Sequence, residues 1–248
     1  MIDGRTAVCG LIGNPVAHTL SPDIHNELAE RMGHDLVYVP FPVDSGRLEA
    51  AVKGAYALGI RGLNVTVPYK SEVIPFLCGI DPLAEKIGAV NTLVRTDDGG
   101  YKGYNTDMLG LERAFGQAGI NIENRDTVIL GAGGAARAVA YLCAMRGAAH
   151  IYQLNRNYDK AAALADEINT VSGRKCIIPM ALSDNDKLPD KKMTVIQATS
   201  VGLSPHDSDV IIPDGGFYER IDTAFDLIYR PAETAFMKLA AKHGSRAY

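Results

Sequence analysis

Gly131-Ala132-Gly133-Gly134-Ala135 follows the apolar run Val128-Ile129-Leu130 and leads into an alanine-rich stretch that ends near Arg146. The pattern predicts a strand over 126–130, a helix over 135–146, and a glycine bend at the turn between them. Gly131 permits the tight turn, Gly133 lets the backbone come close to a pyrophosphate, and the small Ala136 lets the helix pack on the strand. The N–H groups and the positive end of that helix hold phosphates. Alone, such glycines also fit an ordinary tight turn. The next strand, 148–154, sharpens the reading. It runs into Asn155-Arg156, where NAD binders usually carry an acidic residue. An arginine there suits a 2′-phosphate, and a solvated surface arginine is the plain alternative. Lys160 stands four residues on as a second cation, while Asp159 leaves some use of NAD open.

Other polar groups stand at element ends. In Gly62-Leu63-Asn64-Val65-Thr66-Val67-Pro68-Tyr69-Lys70, alternation sends Leu63, Val65 and Val67 to one face and Asn64 and Thr66 to the other. Pro68 stops this strand and presents Lys70 where an open α/β sheet puts its ligands. Read alone, Lys70 is equally a solvated lysine opening a helix over 71–77. Ser21 reads as an N-cap with Pro22 at the first helical position, predicting a helix over 24–32. Thr19 and Ser21 thus set two hydroxyls beside a helix N-terminus, fit for a small carboxylate or, for Ser21, for capping alone. Asp107 precedes a helix over 108–118 and by itself is an N-cap. Thr199 and Ser200 follow a strand over 193–198.

The elements that must position these groups alternate. Strands are expected over 6–12 and 36–41, with a helix over 45–58 that carries Leu48, Val52 and Ala55 on one face and stops at Gly59. A helical turn over 83–87 leads to a strand over 88–95, which Asp97-Asp98-Gly99-Gly100 folds into a hairpin with 101–104. Beyond the glycine bend come a helix over 158–168, strands over 176–178 and 224–229, and a helix opened by Pro231 and ending near His243-Gly244. Strand–helix alternation on both sides of 108–118 argues two α/β units, 1–106 and 107–248.

Composition narrows the class. The 25 lysines and arginines against 29 aspartates and glutamates give a net charge of −4, with no basic stripe for nucleic acid. The four cysteines, Cys9, Cys78, Cys143 and Cys176, lack the paired spacing of a zinc or redox site, and no metal is expected. The chain opens on no signal-peptide pattern, and no run approaches the roughly 18 apolar residues of a membrane helix. A cytoplasmic protein with reduced thiols is expected.

Taken together, Gly13-Asn14-Pro15, Thr19-Leu20-Ser21-Pro22, Asn64 to Lys70, Gly88-Ala89-Val90-Asn91-Thr92, Gly103-Tyr104-Asn105-Thr106-Asp107, Gly131 to Ala135, Asn155-Arg156 and Ala198-Thr199-Ser200 resemble the shikimate dehydrogenase family over nearly the whole chain. The resemblance implies an N-terminal α/β substrate domain and a Rossmann-like dinucleotide-binding domain with a deep crevice between them. It implies reversible NADP-dependent reduction of 3-dehydroshikimate to shikimate in aromatic amino-acid (chorismate) biosynthesis, by a monomer or homodimer. Lys70 and Asp107 would form the catalytic pair. Thr19 and Ser21 would take the substrate carboxylate, and Asn64, Thr66, Asn91 and Asp107 its ring hydroxyls. Gly131, Ala132, Gly133, Gly134 and Ala135 would cradle the pyrophosphate, with Asn155, Arg156 and Lys160 at the ribose phosphate and Thr199 and Ser200 beside the cofactor. Thr19 stands where a serine is usual, Met108 where a glycine is usual, and Phe225 where a tyrosine is common. The family's C-terminal helical segment, which supplies a glutamine, has no counterpart before Tyr248, so weakened substrate binding is expected for this sequence. A quinate/shikimate dehydrogenase using NAD as well as NADP, and a non-catalytic dinucleotide-binding module, remain the competing readings.

Overall fold

Each half of the chain builds a six-stranded sheet of its own. A computed structural model describes residues 2–248, and the chain divides into two units, Met1–Thr106 and Asp107–Tyr248.

The first unit runs β1 (Ala7–Gly13), α1 (Ser21–Arg31), β2 (Leu36–Pro42), α2 (Leu48–Ala57), β3 (Gly62–Val65), β4 (Gly79–Ile80), α3 (Pro82–Ile87), β5 (Thr92–Arg95) and β6 (Tyr101–Tyr104). Its sheet has the order β2-β1-β3-β5-β6-β4. β1 pairs in parallel with β2 and β3, whereas β5 is antiparallel to both β3 and β6. Leu48, Val52 and Ala55 of α2 pack with Leu63, Val65, Leu93 and Tyr101 of the sheet in one buried cluster. The two phenols buried there, Tyr69 and Tyr101, donate to the carbonyls of Val43 and Ile60 at 2.6 and 2.7 Å.

The second unit runs α4 (Asp107–Ala118), β7 (Asp126–Leu130), α5 (Gly134–Met145), β8 (His150–Asn155), α6 (Tyr158–Ser172), β9 (Ile177–Ala181), β10 (Met193–Gln197), α7 (Gly215–Glu219), β11 (Ile221–Asp226), α8 (Ala235–Lys242) and β12 (Arg246–Ala247). Its sheet is parallel throughout, in the order β12-β11-β10-β7-β8-β9. Read from β9, that is third, second, first, fourth, fifth, sixth, the doubly wound Rossmann order with its switch point between β7 and β10. Val128, Ile129 and Leu130 have no exposed surface, as a strand covered on both faces demands. Their burial is worth about 6 kcal/mol.

Among the expected elements that differ, the strand expected over 88–95 begins at Thr92 and the one expected over 224–229 runs Ile221–Asp226; four others differ for a local reason. β3 ends at Val65, and Val67 is exposed rather than in line with Leu63 and Val65. The helix expected over 71–77 is a set of turns with a single 3-10 turn at Ile74–Phe76, because Pro75 has no N–H to continue an α-helix. α2 starts at Leu48 after Gly46, whose φ of +78° is left-handed. α8 starts at Ala235 instead of Pro231: Thr234 caps it, its Oγ1 accepting from the Met237 N–H at 3.2 Å. Among the described residues no helix is long and apolar enough to cross a membrane.

Charge is buried at both ends of the second sheet. At the start of β7, Asp126 lies 2.7 Å from the Lys191 ammonium and 3.0 Å from His150 Nδ1. Burial pushes this carboxyl up, but the hydrogen bonds from Lys191 and His150 outweigh it and hold the group below its ordinary value. Asp226, at the end of β11, accepts from Thr234 Oγ1 at 2.7 Å and from the Ile228 N–H at 2.9 Å. Neither donor is charged, so burial prevails and raises Asp226 to about 6. Its unfolded value is 3.8. Between the two, the unfolded chain sheds this proton while the folded one keeps it, so the group's contribution to stability is full below 3.8 and lost as pH rises through about 6. Two units correspond to about 3 kcal/mol. Urea unfolding of Asp226→Asn from pH 4 to 7 is therefore expected to show a stability gain over the parent chain that grows toward pH 7. An offset independent of pH would contradict the assignment.

Candidate active site

In the second unit, the candidate residues collect at the carboxyl ends of β7, β8 and β10. Gly131 has φ +114°, and a Cβ there would sit 2.8 Å from Thr199 Cγ2 and 2.9 Å from the Ala198 carbonyl oxygen. Only glycine satisfies both the angle and the approach. A Cβ at Gly133 would instead meet no atom within 4 Å. This glycine leaves space beside the first turn of α5. That turn has neither an acidic residue nor a side-chain cap among the described residues, so its N–H groups remain available to an anion. Ala136 is fully buried where α5 meets the sheet.

Two glutamines that the sequence reading passed over hold this turn. Gln153 in β8 has no exposed surface and donates its Nε2 to the Gly131 carbonyl, while its Oε1 is buried without a hydrogen-bond partner. Gln197, the last residue of β10, accepts from the Thr199 N–H at 2.9 Å and from Thr199 Oγ1 at 2.8 Å. It donates to the Val201 carbonyl at 2.8 Å. Thr199 is thereby fixed against Gly131, and Ser200 follows in the same loop. A buried glutamine inside an apolar strand was the available signal.

Asn155 ends β8 and donates to the Asn157 carbonyl at 2.9 Å. Asn157 caps α6 by accepting from the Lys160 N–H at 3.1 Å. Arg156 opens onto a groove of about 420 Å³ walled by Leu182, Ile211 and Ile212, with Ser183 and Asn185 on its polar side. Asp107 is the first residue of α4. Phe225 packs edge to face on Phe115 of α4, with ring centroids 5.0 Å apart, and its ring is a packing element of this unit.

In the first unit the structure forms two hydrogen-bonded pairs from the predicted residues, Thr19 with Ser21 and Asn64 with Asn91. Ser21 is not the N-cap. Leu20 holds that position without a side-chain bond, and Ser21 opens the helix. Thr19 has taken the Ser21 backbone: its Oγ1 accepts from the Ser21 N–H at 3.2 Å and donates to Ser21 Oγ at 3.1 Å. The first turn of α1 is thus uncapped beside two hydroxyls. Asn64 donates from Nδ2 to Thr92 Oγ1 and to the Asn91 carbonyl, each at 3.3 Å. Asn91 Oδ1 accepts from Thr92 Oγ1 at 3.0 Å and from the Thr106 N–H at 2.9 Å, and Asn91 Nδ2 donates to Thr106 Oγ1 at 2.8 Å. Thr66 continues from β3, its N–H donating to the Ile12 carbonyl at 2.9 Å. Lys70 is two turns of chain beyond β3, with its carbonyl accepting from the Val90 N–H at 2.7 Å.

Residues 11–93 match the family model of the shikimate dehydrogenase substrate binding domain. A shikimate dehydrogenase (NADP(+)) of Caldanaerobacter subterraneus subsp. tengcongensis is 41% identical over 99% of this chain and 86% of its own length. A crystal structure of a shikimate dehydrogenase in complex with NADP+ is 38% identical and superposes with a TM-score of 0.86, covering 100% of this chain and 85% of that one. The enzyme of Thermus thermophilus, solved in complex with NADP(H) and shikimate, is 32% identical with a TM-score of 0.80, covering 98% of this chain and 86% of that one. The chain belongs to the shikimate dehydrogenase family.

Proposed function

We propose that this chain catalyses the reversible NADP-dependent reduction of 3-dehydroshikimate to shikimate. The carrying observation is the two hydrogen-bonded pairs, Thr19 with Ser21 and Asn64 with Asn91, which suit a small ring bearing one carboxylate and several hydroxyls. The paired hydroxyls beside the uncapped start of α1 suit the carboxylate. The amides of Asn64 and Asn91 with the hydroxyl of Thr66 suit the ring alcohols, as does the Asp107 carboxylate. The Thermus thermophilus relative, solved with both NADP(H) and shikimate, supports the same choice of ligands.

The open space at Gly133 and the uncapped start of α5 fit a dinucleotide pyrophosphate. Gly131, Ala132, Gly133, Gly134 and Ala135 would hold it, Thr199 and Ser200 would flank it, and Asn155, Arg156 and Lys160 would take the ribose 2′-phosphate. The bound nicotinamide supplies the hydride chemistry. Lys70 delivers a proton to the substrate oxygen in reduction and removes it in oxidation, and Asp107 orients that ammonium and the reacting hydroxyl. We read the protein as a cytoplasmic monomer or homodimer without a nucleic-acid partner, consistent with its net charge of −4.

Nicotinamide absorbance with shikimate or quinate, each paired with NADP+ or NAD+, tests the reading. Fast turnover with shikimate and NADP+ is expected. Comparable rates with quinate and NAD+ would replace it by a quinate/shikimate dehydrogenase, and cofactor binding without turnover by a non-catalytic module. Lys70→Ala is expected to lower kcat by about a hundredfold or more while leaving the Kd for NADP+ near normal; near-normal turnover would remove Lys70 from its role. Arg156→Ala is expected to raise the KM for NADP+ by about tenfold or more with little effect on NAD+, since only the former carries the 2′-phosphate. Equal effects on both cofactors would place Arg156 elsewhere.

A further inference from the structure

Tyr38 stands in β2, a strand that carries no residue of the predicted site, and it is 3% exposed. Three contacts leave its ring one orientation. Its N–H donates to Asn26 Oδ1 at 2.8 Å and its carbonyl accepts from Asn26 Nδ2 at 3.0 Å. The ring stacks on the His25 imidazole, with centroids 4.3 Å apart and planes 9° from parallel. The phenol donates to Asn64 Oδ1 at 2.8 Å, and the Ser21 hydroxyl lies close enough to act on it.

We infer that Tyr38 is a positioning residue for the substrate, its phenol joining the carboxylate-binding hydroxyls of Thr19 and Ser21 to the hydroxyl-binding amides of Asn64 and Asn91. This rests on the proposed activity and deepens it. The inference follows from which hydrogen bonds are short. Asn64 has two symmetric-looking ends, and an amide that flips exchanges donor for acceptor. The Asn91 carbonyl can only accept, so Nδ2 is the end that faces it and Thr92, and Oδ1 is left to accept from the Tyr38 O–H. The bond to Tyr38 is 2.8 Å, whereas the two from Nδ2 are 3.3 Å. Nδ2 is therefore the readily redirected end, and a ligand hydroxyl meets a donor there. Burial pushes the phenol up to about 12, against a smaller opposing effect of the Ser21 hydroxyl, so it keeps its proton throughout the working range. On the other side, Thr19 donates to Ser21 Oγ and accepts from the Ser21 N–H, which gives the hydroxyl pair a default orientation before any carboxylate arrives.

The test is Tyr38→Phe, which keeps the ring and its stack on His25 and deletes one oxygen. The KM for shikimate is expected to rise about tenfold, the cost of one well-placed hydrogen bond, with the KM for NADP+ within about twofold of the parent chain. In the Ser21→Ala background the same substitution is expected to do less, because the two groups act through one network. An unchanged KM for shikimate overturns the inference, and so does an equal rise in both KM values, which is the mark of general loosening. Should Tyr38→Phe not fold, His25→Leu decides: removal of the brace is expected to raise the KM for shikimate about twofold to threefold, and an unchanged value overturns the inference. Absence of shikimate turnover in the parent chain overturns the proposed activity itself, a result distinct from an active parent indifferent to position 38.

Discussion

At Gly131 the chain has room for a hydrogen and nothing else. The residue takes a left-handed φ with the Thr199 methyl and the Ala198 carbonyl pressed against it, and the second unit is arranged around keeping that approach. β7 reaches the point buried along its whole length between two neighbouring strands, which fixes its position. The two neighbouring strands each contribute a buried amide, Gln153 holding the Gly131 carbonyl and Gln197 holding the loop that closes over it. Burying an amide in a sheet interior is costly unless it is bonded. Here the bonds determine where the backbone N–H groups of α5 begin. The proposed anion site is thus a property of backbone geometry, set by three strands, rather than of any cationic side chain.

The first unit solves a different problem with the same means. A polyhydroxylated acid offers donors and acceptors in every direction, and a site of loose side chains would meet it with many orientations. Tyr38, Asn64, Thr92, Asn91 and Thr106 form a connected set instead, with Thr19 and Ser21 bonded to each other, so that each group's free direction is decided by its neighbours. Thr19 taking the Ser21 backbone is part of this. It relieves Ser21 of capping duty and leaves its hydroxyl for other partners.

What the sequence made legible was what is local along the chain. The apolar run, the glycine bend and the alanine-rich helix are adjacent, so strand, turn and helix followed directly, and the Rossmann-like half was recognisable from them. Gln153 and Tyr38 were not, because their partners stand 22 and 26 residues away and only the sheet brings them together. Pro75 and Thr234 were visible signals that were not weighed: the helix expected over 71–77 was drawn through the first, and Pro231 drew attention from the second as a helix start. The extent of β3 was overestimated because alternation continues through Val67 in the sequence after the strand has ended.

β7 begins at Asp126 and ends at Leu130, so its buried ion cluster and the glycine turn are separated by only five residues, on the order of 15 Å. They nonetheless lie at opposite ends of the strand. Lys191 and His150 meet its start, whereas Gln153 and Gln197 act beyond its end. The charges around Asp126 and the backbone at the glycine turn therefore share no partner, and a substitution at Lys191 or His150 leaves every hydrogen bond that holds Gly131 in place.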